Sequence, residues 1–154
     1  MTEAGGDANI DSDLDEVRIP GSVRVAGGLH TFSGLIALLT GFQLSSLRFH
    51  ADLASYVPYI LLGTGLFALV LGTMVYRGKG NAAIVATVLA ALHLIGGGVW
   101  FVMLLSWGVM SLVAMLVPVI ALAALGFGGY MLPKILRIDA ARQRLAKSGL
   151  SFGV

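Results

Sequence analysis

Two histidines are the residues with the clearest potential for chemistry, because His30 and His93 each lie inside a long apolar segment. Ionisable groups at membrane depth are costly and are frequently functional. Two imidazoles on facing helices could be the axial ligands of a b-type haem, with neighbouring glycines leaving room for the porphyrin edge. Alternatively, neutral imidazoles could hydrogen-bond across helix interfaces and hold the helices together. The sequence favours the second interpretation, since there is one such pair and Arg24 is the only nearby cation for haem propionates.

Other catalytic chemistry has little support. The chain has no cysteine, which excludes disulfides, thiolate metal sites and thiol nucleophiles. It contains no Walker loop and no nucleophile with its base, and His50 with Asp52 is too small a set for a metal site. The apolar segments contain no carboxylate of the kind that ion-coupled transporters bury. We therefore expect no enzyme activity, no bound metal and no nucleic-acid partner.

The elements that must position the histidines are four apolar segments. They cover residues 25–47, 57–76, 82–105 and 109–132, and a helix needs about 20 residues to cross ~30 Å of hydrocarbon. Charged residues are 12% of the chain, against about 25% in soluble domains, so the bilayer has to cover the surface. The alternation expected of membrane strands is absent. The expected fold class is an all-α integral membrane protein with a bundle of four transmembrane helices.

The segregation of charge predicts orientation and domain limits. Nine of the ten cations fall on the side that holds both termini and the 77–81 loop, and only Arg48 falls on the other. The positive-inside rule then predicts a multi-pass protein of the plasma (inner) membrane with both termini in the cytoplasm. The acidic residues 1–20 are expected to be a disordered tail. Residues 21–137 are the transmembrane domain, and residues 138–154 are a basic juxtamembrane tail expected to bind anionic lipid headgroups. The segment from Lys134 onwards is expected to form a short helix that ends near Gly149, and docking to a cytoplasmic partner is the alternative role.

An internal repeat is also predicted. Residues 57–77 and 117–137 share six of 21 positions, including a Val-Pro pair at the start and an arginine at the end. A shift of 63 residues pairs His30 with His93 and Gly34 with Gly97. These matches predict two tandem helical hairpins related by a pseudo-twofold axis along the membrane normal.

Small residues inside the spans are expected to be packing sites. A glycine lowers the stability of a soluble helix by about 1 kcal/mol relative to alanine, but in lipid it lets helix backbones approach closely. The residues selected by helical spacing are Gly34, Gly41, Gly65, Ala68, Gly72 and Gly97. Two interpretations stay open for them, namely packing within one bundle and self-association through an outward stripe.

These features favour a small, non-catalytic integral membrane protein that acts as a packing, accessory or oligomerising subunit, either with itself or with a larger membrane protein. A bis-histidine haem b protein that uses His30 and His93 is the alternative. A small transporter or channel is the third hypothesis, with Thr40, Gln43 and the histidines along a polar path.

Overall fold

The computed structural model describes residues 14, 17–46, 54–108 and 112–147, and within these ranges the chain is helical without a strand. The four long helices are α1 (Gly21–Ser45), α2 (Val57–Tyr76), α3 (Gly80–Ser106) and α4 (Leu112–Lys147), with a short 3-10 helix at Ala54–Tyr56. All four are long and apolar enough to cross a membrane. The chain is therefore an all-α, multi-pass membrane protein with a bundle of four transmembrane helices.

Some sequence predictions concern residues outside the described ranges. They include most of the acidic segment 1–20, the loop with Arg48, His50 and Asp52, the expected start of the fourth span at 109, and the end of the basic tail at 148–154.

The helices form a ring in chain order, and α4 closes the ring against α1. The α1–α2 interface is the most extensive and the α2–α3 interface is the least extensive of the four, while α1 and α3 face each other across the diagonal with little contact. Neighbours are antiparallel, since Gly27 of α1 lies against Tyr76 of α2 and Gly41 lies against Pro58. Such an up-and-down order needs only short connections, as in other four-helix bundles.

The bounds of α2 follow from local signals. Pro58 lies in the first turn, where its missing N–H costs nothing. The helix ends before Gly78, whose φ of 75° is left-handed and readily adopted by glycine. Residues 77–79 then connect α2 to α3 at what we call the basic end of the bundle, where α1 also begins and α4 continues past residue 133.

Helix α4 is longer than the fourth span that the sequence predicted, at residues 109–132. Its 36 residues correspond to about 54 Å, well beyond the ~30 Å hydrocarbon core, and it continues through Pro133 and through the expected domain limit at 137. A proline inside a helix removes one backbone hydrogen bond. The helix nevertheless continues because its inward stripe stays packed, with Ile135 fully buried and Ile138 4% exposed in one core cluster with Val23 and Val75.

The part of α4 beyond residue 133 also holds the α2–α3 connection. A guanidinium N–H of Arg142 donates to the backbone carbonyl of Arg77 at 2.5 Å, at the negative end of the α2 dipole. One turn earlier, the carboxylate of Asp139 lies beside the start of α3, and a Cβ added at Gly80 would be 2.9 Å from its Oδ2 atom. The positive Arg142 thus lies at the C-terminal end of α2, and the negative Asp139 lies at the N-terminal end of α3. Each charge has the sign that stabilises that end of a helix.

Candidate functional site

His93 is buried between α3 and α2. Its side chain is 5% exposed, and its Nε2 atom lies 2.9 Å from the hydroxyl oxygen of Thr64. That hydroxyl donates its single hydrogen to the carbonyl of Ile60 at 2.8 Å, so its oxygen is left to accept. The imidazole must therefore donate from Nε2, which assigns the Nε2–H tautomer.

His30 lies in a different interface, between α1 and α4, and is 3% exposed. Its Nε2 and Cε1 atoms fill the space beside the α carbon of Gly128, where any added Cβ would overlap the ring. The sequence predicted a hydrogen bond to a neighbouring helix for both imidazoles. Within the described residues only His93 makes one, because α4 presents a glycine rather than a hydroxyl at the depth of His30.

The haem hypothesis requires both imidazoles to face one iron. The two rings are instead directed to different neighbours, His30 to α4 and His93 to α2. Ligation through Nε2 would require His93 to release Thr64 and His30 to leave its place beside Gly128. The observed arrangement supports the interpretation in which the histidines hold helices together.

The residues suggested for a polar path differ in exposure. Thr40 is buried at 1% exposure, whereas Gln43, one turn further along α1, is exposed. Among the described residues, no three His, Cys, Asp or Glu side chains come together to hold a metal ion.

The α1–α2 interface is built on glycines that approach each other's backbones. A Cβ added at Gly34 would lie 2.7 Å from the carbonyl oxygen of Gly65, and one added at Gly65 would lie 2.8 Å from that of Gly34. A Cβ at Gly72 would overlap the hydroxyl and backbone nitrogen of Thr31. Real Cβ atoms do not occupy such positions, so this close approach requires glycine.

The spacing of the α1–α2 contacts is that of a coiled coil. The α1 positions follow one another at intervals of four and three residues, and so do the α2 positions that they meet. A seven-residue repeat of this kind is typical of left-handed packing with a small crossing angle. The positions are 27, 31, 34, 38 and 41 in α1, and 58, 62, 65, 69, 72 and 76 in α2.

All six residues that the sequence selected for packing are buried inside the bundle. Gly34, Gly41, Gly65, Ala68 and Gly72 lie in the α1–α2 interface, where a Cβ at Gly41 would be 2.8 Å from the carbonyl oxygen of Pro58. Gly97 lies in the α3–α4 interface, and its Cβ would be 2.7 Å from Val117. A self-association surface therefore has to use other residues.

Sequence reasoning did not select Thr64 or Gly128, the partners of the two histidines. Thr64 could have been found from its depth, since it lies twelve residues before Tyr76 and His93 lies thirteen residues after Gly80. The two arms of an antiparallel hairpin bring such positions to the same level.

No protein-family model, curated protein or solved structure matches this chain.

Proposed function

We propose that this chain is a non-catalytic accessory subunit of the plasma (inner) membrane that associates with copies of itself or with a larger membrane protein. The observation that carries the proposal is the presence of glycines on the outward faces of three helices. Gly63 of α2, Gly96 of α3 and Gly126 of α4 are exposed, and nothing lies within 4 Å of a Cβ added at any of them.

Each of these glycines forms a notch between larger apolar side chains. Tyr59 and Phe67 flank Gly63 one turn away on either side, and Leu122 and Tyr130 flank Gly126 in the same way. In water an exposed apolar face of this size would be a liability, but in lipid it is ordinary. The glycines add something that lipid does not require, namely a place where the backbone of another helix can approach closely.

The use of the buried polar groups supports a structural role. The polar atoms of His93 and Thr64 bind each other, and the ring of His30 fills a space beside Gly128. Interhelical contacts of this type stabilise membrane bundles. They also leave these side chains committed to packing rather than directed at a substrate.

The proposed orientation has both termini in the cytoplasm. Its support is the distribution of the cations, because the short 77–79 connection and the extension of α4 carry Arg77, Lys79, Arg137, Arg142 and Lys147 to the same end of the bundle. Basic residues close to membrane spans remain on the cytoplasmic side.

The association is tested with the double variant Gly63→Leu/Gly126→Leu. Leucine fills both notches without entering the bundle, so the helix content and unfolding free energy should match the wild type while the oligomer fraction in liposomes falls, as counted by single-molecule photobleaching. The matched control is Gly98→Leu/Gly129→Leu, which adds the same bulk at half-buried flanking positions that also have nothing within 4 Å. A wild type that stays monomeric, and that forms no crosslink in its native membrane from a photo-reactive residue placed at Leu122, would contradict the proposal.

A further inference from the structure

An open cleft of about 760 Å³ lies at the basic end, between the chain that enters α1 and the part of α4 that leaves the membrane. One wall is formed by residues 17–21 and Arg24, and the other by residues of α4 from Lys134 to Arg142. Among the residues that the structure describes, ten line the cleft, and five of them are cations and none is acidic. The cations are Arg18, Arg24, Lys134, Arg137 and Arg142.

Two of these cations are held in place by the fold. Arg142 donates to the carbonyl of Arg77 at 2.5 Å, and the guanidinium of Arg24 lies over the ring of Tyr76, 5.8 Å from its centroid. Five like charges that converge on one cleft repel one another, and the repulsion is strongest near a low-dielectric region. The cleft is therefore electrostatically suited to an anion.

An apolar groove of about 560 Å³ lies on the lipid-facing side of α1 and α2. Its lining includes Gly28, Phe32 and Leu35 of α1 and Leu69 and Tyr76 of α2. Gly28 is important for its shape, because nothing lies within 4 Å of a Cβ added there. A larger side chain would fit the backbone at that position but would fill the groove.

The cleft and the groove follow one another along one face of α1. Gly21 and Arg24 line the cleft, while Gly28, Phe32 and Leu35 line the groove, and positions three or four apart share a helix face. Tyr76 connects them from the other side, since its ring lies under Arg24 and borders the groove. From Arg24 to Leu35 the helix rises about 16 Å, close to half of the ~30 Å hydrocarbon thickness. The cleft and the groove together thus extend about as far along α1 as one leaflet is deep.

We propose that the cleft and the groove together bind one anionic phospholipid, with its phosphate-bearing headgroup among the five cations and one acyl chain along α1. The guanidinium fork matches the oxygens of a phosphate, and basic pockets between helices at a membrane surface bind such headgroups. A soluble phosphate compound shares the headgroup chemistry but has no use for the groove. The site is separate from the outward notches of the proposed accessory role.

The proposal is tested by native mass spectrometry of the full chain in detergent, titrated with phosphatidylglycerol, phosphatidylcholine or inorganic phosphate. The cleft variant is Arg18→Gln/Arg137→Gln, which removes one exposed cation from each wall. Its control is Lys79→Gln/Lys147→Gln, which removes the same charge from exposed positions outside the cleft.

The groove variant is Gly28→Leu, with Gly98→Leu as its control, because neither added Cβ meets another atom within 4 Å. Circular dichroism verifies that each variant is folded.

We expect one phosphatidylglycerol per chain, bound much more tightly than phosphatidylcholine. The cleft variant should lower the affinity for phosphatidylglycerol about 30-fold, since it removes two cations and each cation near a headgroup contributes about a fivefold factor in affinity. Gly28→Leu should also weaken the binding of phosphatidylglycerol but not that of inorganic phosphate. Both control variants should bind the lipid as tightly as the wild type does. Equal affinity for the two lipids, or equal losses in the cleft and control variants, overturns the proposal.

Two further outcomes would assign the cleft to a different occupant. Inorganic phosphate that binds as tightly as the lipid, and is insensitive to Gly28→Leu, would indicate a soluble phosphate compound. Six of the chain's eight carboxylates precede Val17 in sequence, and they are the other candidate occupant. If these carboxylates occupy the cleft, the wild type binds no lipid, and the variant Asp11→Asn/Asp13→Asn gains the ability to bind it. Either result overturns the assignment to a phospholipid.

Discussion

The imidazole of His93 donates from Nε2 to the hydroxyl oxygen of Thr64 across 2.9 Å, and this bond joins α3 to α2. The two helices make the least extensive of the four interfaces in the ring. A polar contact therefore forms a larger part of the attraction between them than it would between α1 and α2, where the glycines bring two backbones together. The least extensive interface of the bundle thus contains a side-chain hydrogen bond between two helices.

The first prediction concerns the strength of that bond. A double-mutant cycle of His93→Ala and Thr64→Val should give a coupling energy near ~0.6 kcal/mol and below ~1.7 kcal/mol, the range found for hydrogen bonds inside membrane proteins. It is measured as the free energy of unfolding in mixed dodecyl sulfate micelles. His30→Ala combined with Thr64→Val is the control, and it should be additive because His30 faces α4. Coupling of equal size in both cycles would show that the bond contributes nothing specific.

The second prediction concerns Gly128. Gly128→Ala should lower the free energy of unfolding by about 1–3 kcal/mol, because its Cβ overlaps the ring of His30 and overpacking costs that much. Adding His30→Ala should recover most of the loss. The neighbouring change Gly129→Ala is a matched control with nothing within 4 Å of the added carbon, and it should be neutral or stabilising by up to about 1 kcal/mol. Equal effects at the two adjacent glycines would contradict the arrangement.

The third prediction concerns Gly65 and Gly72. Replacing both with leucine should separate α1 from α2 and lower stability by at least about 2 kcal/mol, because an added carbon meets the backbone of α1 at both sites. The double variant Gly98→Leu/Gly129→Leu again supplies the control. Stability is followed by unfolding and association by photobleaching. An unchanged unfolding transition with an altered oligomer distribution would mean that Gly65 and Gly72 face another chain instead.

The fourth prediction concerns the carboxylate at the start of α3. Asp139→Asn should destabilise the protein by about 0.3–1 kcal/mol at low salt, and the difference should shrink at high salt, since a charge at a helix terminus is screened by ions. Thermal unfolding at two ionic strengths measures both effects. A loss that does not depend on salt would show that Asp139 acts through packing or through its bond with Gln143 rather than through its charge.

The fifth prediction concerns topology. Reporter fusions after residue 50 and after residue 80 should report opposite compartments, because α2 lies between these positions, and the cytoplasmic signal should come from the fusion after residue 80. If both fusions report one compartment, α2 does not cross the membrane. If the compartments are reversed, the inference from the cations is wrong.

The helices that end in local signals are predictable from the sequence. The expected bounds of the second span, 57–76, coincide with those of α2, because Pro58 marks its first turn and Gly78 terminates it. The fourth helix is different. Pro133 and the basic residues after it indicate the end of a span, and nothing local indicates that the span and the short helix expected after it form one continuous helix. It does so because Ile135 and Ile138 pack against residues of other helices, which are distant in sequence.

The six residues selected for packing lie at buried positions in the folded bundle, but the sequence did not identify the partners of the histidines. Helical spacing places His30 and His93 on faces with small residues, whatever the order of the helices around the ring. Whether such a face meets the preceding or the following helix depends on that order. Gly128 therefore became identifiable only in the folded bundle, and the depth of Thr64 points to His93 only once α2 and α3 are known to be neighbours. The pseudo-twofold relation of the two hairpins stays a prediction, although each histidine does pack against a helix of the other hairpin.

The two charged side chains that hold the 77–79 connection belong to α4, the last of the four described helices in chain order. During synthesis, the α1–α2 hairpin can assemble from consecutive residues, because its glycine contacts need nothing from the second half of the chain. The connection between α2 and α3, by contrast, meets Asp139 and Arg142 only when 139 or 142 residues have been made. A chain arrested before that point would contain the α1–α2 hairpin but would lack the contacts of Asp139 and Arg142 with the α2–α3 connection. Closure at the basic end thus has to wait until synthesis has passed Arg142.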